Sequence, residues 1–113
     1  MSHGLDTVSS EQLLQALAER GGHPGALARA ALLCLRKSQD YNGLNINIHT
    51  IDRSNYFPFG ALSYAQMIHT KSQRFVNLTK TGDIGVHFEG LEDTALDLIN
   101  YAGFYIASLE MAE

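Results

Sequence analysis

Cysteine is nearly missing from this chain of 113 residues, and the single Cys34 excludes an internal disulfide. It sits in the apolar run Ala30-Ala31-Leu32-Leu33-Cys34-Leu35, where a buried, inert thiol is expected. No apolar run approaches the length of a membrane span, which argues against a membrane protein. The first residues lack the basic-then-apolar pattern of a secretory signal. Together these absences point to a cytoplasmic protein. The five histidines include no two that are three to five apart, so zinc-like pairing is absent. Gly60, Gly82 and Gly85 fit no phosphate-loop spacing, and no local Ser-His-Asp signature occurs. With a net charge of −4 and no basic stripe, a duplex nucleic-acid partner is excluded as well.

One absence says more than the others. No Lys or Arg occurs from Thr81 to Glu113. Residues 1–80 carry eight basic against five acidic groups, a net of +3, while residues 81–113 carry seven acids and no base, a net of −7. Such halves are expected to face one another, directly or across a charged ligand. A free nucleotide bridged by a cation suits that division.

The acidic half holds the most informative run, from Phe88 to Tyr101. On a helix, Leu91, Ala95, Leu98, Ala102, Tyr105 and Leu109 fall on one apolar arc, widened by Leu96, Ile99 and Ile106. Glu89, Asp93, Asp97 and Asn100 fall on another, so three carboxylates and an amide line one stripe. Like charges at this spacing cost a few tenths of a kcal/mol each unless a cation offsets them, and the helix supplies none. The plain alternative is a solvated acidic face. Against it, two aspartates sit mid-helix despite poor helix propensity, close to the apolar arc.

Helical periodicity recurs along the rest of the chain. Ser9 and Gln12 make a capping box for a short helix bearing Leu13, Leu14, Leu17 and Ala18, which Gly21-Gly22 ends. Pro24 suits the first turn of a second helix that runs to about Tyr41, with Leu27, Ala31, Cys34 and Ser38 on one seam. Asn45 to His49 alternates like a short strand, and Ser54 to Gly60 reads as a turn-rich aromatic loop. Three aromatics in such a loop are expected to pack on the domain, at a ligand site or in a dimer interface. A third helix over Ala61 to Thr79 is expected to bury Leu62, Ala65, Ile68, Ser72, Phe75 and Val76. The architecture is therefore all-α: one domain over residues 1–113, a compact four-helix-type bundle. A long, partly extended aromatic loop, with a short hairpin, joins helices two and three. A chain this small also gains from assembly, so a homo-oligomer, a dimer or larger, is expected through that loop.

Lys71 and Arg74, three apart on the flank of the third helix, complement the acidic stripe if helices three and four form an antiparallel hairpin. They either pair internally or present a point charge and a bidentate fork to phosphate oxygens. The carboxylates of the same site suit Mg²⁺, which takes one or two protein carboxylates and leaves its other positions to phosphate and water. Asp40, at the end of the second helix, reads by itself as a partner for Lys37 or Arg36.

Three blocks then occur in order: Lys-Ser-x-Asp-Tyr-Asn at 37–42, Lys-x-x-Arg at 71–74, and Glu-Asp-Thr-x-Leu-Asp-Leu-x-Asn-Tyr at 92–101. Over about Leu32 to Tyr105 the chain resembles the phage and bacterial all-α family called nucleotide modification associated domain, type one. That family is distantly similar to MazG-type nucleoside-triphosphate pyrophosphohydrolases. The resemblance marks Asp40, Lys71, Arg74, Asp93, Asp97 and Tyr101. It implies a nucleotide or nucleotide-like phosphate ligand held by Lys71, Arg74 and Tyr101, to which the stripe adds Asn100. It further implies Mg²⁺ held by Asp40, Asp93 and Asp97, with Asp93 and Asp97 in catalytic roles, and the stripe adds Glu89 to the metal ligands. The chain departs from MazG-type enzymes on the acidic side. Those present a Glu-Glu-x-x-Glu cluster and a Glu-x-x-Asp pair, whereas here the earlier helix offers only Asp40 and the later one has i, i+4 spacing. The departure bears on hydrolysis more than on binding. Two functions therefore stand side by side: a Mg²⁺-dependent pyrophosphohydrolase-like enzyme, and a non-catalytic binder that sequesters a nucleotide signal using Tyr56, Phe57 and Tyr101 for stacking. A purely structural interaction domain is the third.

Overall fold

The structure is a computed structural model in which residues 8–42, 57–81 and 90–111 are described. Four helices account for nearly all of them: α1 (Ser10–Arg20), α2 (Gly22–Asn42), α3 (Ala61–Thr81) and α4 (Leu91–Met111). No strand occurs among the described residues, so the fold is all-α, as the periodicity implied. The alternating stretch at 45–49 and most of the loop before Phe57 lie outside the described residues. By contact the chain divides into two compact units, residues 1–51 and 52–113.

The first unit is α1 against α2. The Ser9 hydroxyl accepts from the Gln12 N–H at 3.1 Å, and the Ser9 N–H donates to the Gln12 side-chain oxygen at 2.8 Å. That reciprocal cap satisfies two otherwise orphaned backbone donors, as expected from the Ser-x-x-Gln spacing. Only Gly21 separates the two helices. Its φ of 76° and ψ of −160° lie in a region that glycine enters at little cost, and its N–H closes onto the carbonyls of Leu17 and Ala18. The chain can then fold back so tightly that a Cβ at Gly25 would stand 2.9 Å from the Leu17 carbonyl oxygen. Among the described positions of α2, Gly25, Ala28, Ala30, Cys34, Leu35 and Ser38 are buried. Cys34 is enclosed as anticipated, and the Ser38 hydroxyl donates to its carbonyl at 2.8 Å. Leu27, expected on the buried seam, is exposed; small alanines take the covered positions.

The second unit is α3 against α4, entered through the turn Phe57 to Gly60. Gly60 has a φ of 60°, its N–H reaches the Phe57 carbonyl, and the Ser63 hydroxyl accepts from the Phe59 N–H at 2.9 Å. This turn drives Phe57 into the unit. Its ring stacks on Tyr64 at 4.2 Å between centroids with planes 16° apart, and meets Tyr101 and Phe104 at 6.1 and 6.3 Å. Tyr64 in turn meets Tyr105 edge-on at 5.9 Å. An aromatic of the loop thus packs on its own domain, one of the three fates anticipated for it. The contacts also fix direction. Tyr64 lies by Tyr105 and Lys71 by Asp97, so numbers rise along α3 as they fall along α4, and the pair is an antiparallel hairpin.

The rotation of α3 differs from the expected one. Leu62, Ala65, Phe75 and Val76, assigned to the core by periodicity, are exposed. Ile68 and Ser72, of the same expected set, are partly covered, as are Met67, Lys71, Arg74 and Leu78, while Ser63 and Tyr64 are buried. The Phe57–Tyr64 stack and the Lys71–Asp97 ion pair turn this polar and aromatic side inward.

Candidate functional site

The acidic run forms α4, which starts at Leu91. Thr94 seals its first turn. It is fully buried, and both its N–H and its hydroxyl donate to the Gly90 carbonyl, at 3.1 and 3.0 Å. Glu92 and Asp93 occupy that turn, where carboxylates are favoured by the helix dipole. This gives Asp93 a structural reason for its identity beside any functional one. Glu89 lies outside the described residues, so the expected stripe is followed here through Asp93, Asp97 and Asn100. Of these, Asp93 is exposed while Asp97 and Asn100 are half-buried.

Across the hairpin, the Lys71 ammonium lies 3.2 Å from the Asp97 carboxylate, with the two side chains only 15% and 13% exposed. The sequence had placed Lys71 or Arg74 within ion-pair reach of Asp93 or Asp97, and this pair meets that expectation. Exposed pairs contribute little. This one is largely withdrawn from water, so losing either member would strand the other's charge. Arg74 follows one turn along α3, half-buried. The antiparallel register carries it toward the first turn of α4, where Asp93 and Thr94 sit. The residue has interactions of its own, and its Nε is enclosed with no acceptor among the described residues.

Tyr101, one turn beyond Asp97 on α4, is half-buried and edges onto Phe57 and Phe104. Phe57 itself is buried with its ring against Tyr64, so it serves the core rather than an open stacking surface. Tyr56 lies outside the described residues. The structure therefore brings Lys71, Arg74, Asp97 and Tyr101 onto one hairpin, with Asn100 beside them on α4. Asp40 falls in the last turn of α2, in the first unit, and its side chain is not among those described. Tyr64 and Thr94 are the residues that sequence reasoning passed over. One anchors the loop aromatic and the other fixes the start of the acidic helix. A threonine four residues after a glycine at a helix start is the local signal for the second.

Among the described residues, no three His, Cys, Asp or Glu side chains come together as a metal site. Asp93 and Asp97 project from one helix, and Asp97 already holds a cation. Glu89 and the Asp40 side chain, the other expected Mg²⁺ ligands, lie outside those described; Mg²⁺ takes only one or two protein carboxylates and leaves its other positions to phosphate and water. No helix among the described residues is long and apolar enough to cross a membrane. No family model, curated protein or solved structure matches the chain, so the resemblance rests on its three motifs.

Proposed function

We propose that this chain binds a nucleotide or nucleotide-like phosphate ligand on the α3–α4 hairpin, at Lys71 and Arg74. The observation that carries the reading is the enclosed Lys71–Asp97 pair with a second cation one turn away. An ammonium held in one place and partly stripped of water is a stronger anion receptor than one on a solvated surface. Arg74 adds a planar fork suited to phosphate oxygens. Asp97 keeps Lys71 in position while no ligand is bound, and the incoming phosphate shares or replaces that carboxylate. Asn100 and Tyr101 supply an amide and a ring edge one turn further along α4, where a base or sugar would lie. The uneven charge of the chain, +3 against −7, agrees with a ligand that must be met by bases on one side and balanced against acids on the other.

The motif resemblance favours a second reading, Mg²⁺-dependent release of pyrophosphate from a nucleoside triphosphate. It needs Asp93 and Asp97 acting with Glu89 and Asp40, whereas binding needs only the cations. One experiment separates the readings. Thermal unfolding is followed against a panel of nucleoside mono-, di- and triphosphates, with and without Mg²⁺, and the nucleotides are then recovered and chromatographed. Binding gives a raised melting temperature that Lys71→Ala removes, with the ligand returned intact. Catalysis gives pyrophosphate, abolished by Asp97→Asn. If no member of the panel changes stability or is consumed, both readings fail and the charges are internal pairs.

A further inference from the structure

Lys71 already has an anion from its own chain. The Asp97 carboxylate stands 3.2 Å from the ammonium, and water reaches little of either side chain. An anion that comes to Lys71 from outside must therefore replace this carboxylate or crowd beside it. Asp97 also stays close once displaced. The helix backbone fixes it on α4, and ring contacts hold α4 to the other helix and its turn without help from the ion pair. Tyr64 meets Tyr105 at 5.9 Å, and Phe57 meets Tyr101 at 6.1 Å. A competitor tethered in this way acts at an effective concentration on the order of millimolar, and higher still when it is rigidly held.

That tether sets a threshold for ligands. A free carboxylate or a phosphate diester has a single charge and offers Lys71 no stronger partner than Asp97. It must also give up translational freedom that Asp97 has already lost. A singly esterified phosphate differs in kind. Near neutral pH it carries about −1.5 to −2 charges and three strong acceptor oxygens. It can engage the Lys71 ammonium and the planar fork of Arg74, half-buried one turn along α3, at the same time.

On the ligand site proposed above, on which this step rests, we infer that Asp97 is a specificity-determining residue. It is a built-in competitor that restricts the site to ligands ending in a singly esterified phosphate and turns away phosphodiesters. Nucleoside mono-, di- and triphosphates belong to the admitted class; cyclic nucleotides and oligonucleotide backbones do not. Removing the Asp97 charge should then strengthen phosphate binding. A residue that held the ligand itself, or served only the fold, would have no such effect.

The test titrates the full chain, labelled with ¹⁵N, with methyl phosphate and with dimethyl phosphate. The two probes differ by one ester bond and one charge and contain no base. Amide shifts along α3 and α4 report binding and fold together. The wild type should bind methyl phosphate at least about 10-fold more tightly than dimethyl phosphate. Asp97→Asn keeps the volume and an oxygen for the Lys71 ammonium but removes the charge. It should bind methyl phosphate about 10-fold or more tighter than the wild type, and should take up dimethyl phosphate as well. Glu110→Gln removes the same charge from an exposed position near the other end of α4, and should change either affinity less than about twofold. Lys71→Ala should bind neither probe. A wild type that binds both probes equally would overturn the inference, and that comparison needs no variant to fold. So would an Asp97→Asn variant that binds methyl phosphate no tighter than the wild type; Lys71-dependent binding would then leave the ligand site itself standing. If neither the wild type nor Asp97→Asn binds methyl phosphate, site and competitor fall together.

Discussion

At the residue scale, one ion pair ties α3 to α4. Lys71 and Asp97 sit 3.2 Å apart, each largely enclosed, so neither can be removed without stranding the other. Asp97→Ala should therefore lower stability by about 2–3 kcal/mol, measured by urea denaturation. Lys71→Met should cost less, because its carbon chain still fills the space beside α4. The double variant should recover part of the loss, since it leaves no lone charge, and a strictly additive double-mutant cycle would show that the pair is not coupled. Phe57 belongs at the same scale. It is buried against Tyr64, Tyr101 and Phe104, so Phe57→Ala should cost about 3–5 kcal/mol. Phe59, two residues on and exposed, should tolerate the same change with a loss below about 0.5 kcal/mol.

Individual helices owe their limits to local chemistry. The Ser9–Gln12 box starts α1, Gly21 ends it, and Gly25 lets α2 pass close to the Leu17 carbonyl. Glycine to alanine within a helix ordinarily gains up to about 1 kcal/mol. At Gly25 the sign should reverse. The added methyl would stand 2.9 Å from a backbone oxygen, so one helix must shift against the other, and Gly25→Ala should destabilise by about 1–3 kcal/mol. Equal or greater resistance to urea in that variant would mean that the turn is looser than its geometry states. On α4, Thr94 is the corresponding fixed point. Thr94→Val keeps the volume but removes the hydroxyl bonded to Gly90, and should cost about 1 kcal/mol by loosening the turn that carries Asp93.

At the scale of the whole molecule, binding and stability are linked. A ligand that binds only the folded chain adds about 2.7 kcal/mol at one hundred times its dissociation constant. For a chain of this size that is a rise of roughly 10 °C or more in melting temperature, large enough for a screen of candidate ligands to detect. On the proposed reading, in which Lys71 and Arg74 meet phosphate, the rise should shrink at high salt.

Much of this was written in the sequence itself. Helix limits were legible because glycines, a capping box and a proline act over three or four residues. The acidic row and its missing bases were legible because charge is counted along the chain, and they led to the Lys71–Asp97 pair. The rotation of α3 was not legible. Periodicity tells which residues share a side of a helix, but α3 has apolar side chains on more than one side. Leu62, Ala65, Phe75 and Val76 form as plausible a core face as Tyr64, Met67 and Leu78. Only the tertiary structure chose between them, because Phe57, seated on Tyr64 by the Gly60 turn, and Asp97, reaching Lys71 from the next helix, are partners from elsewhere in the chain. A pattern within one helix cannot contain the energy of a contact with another.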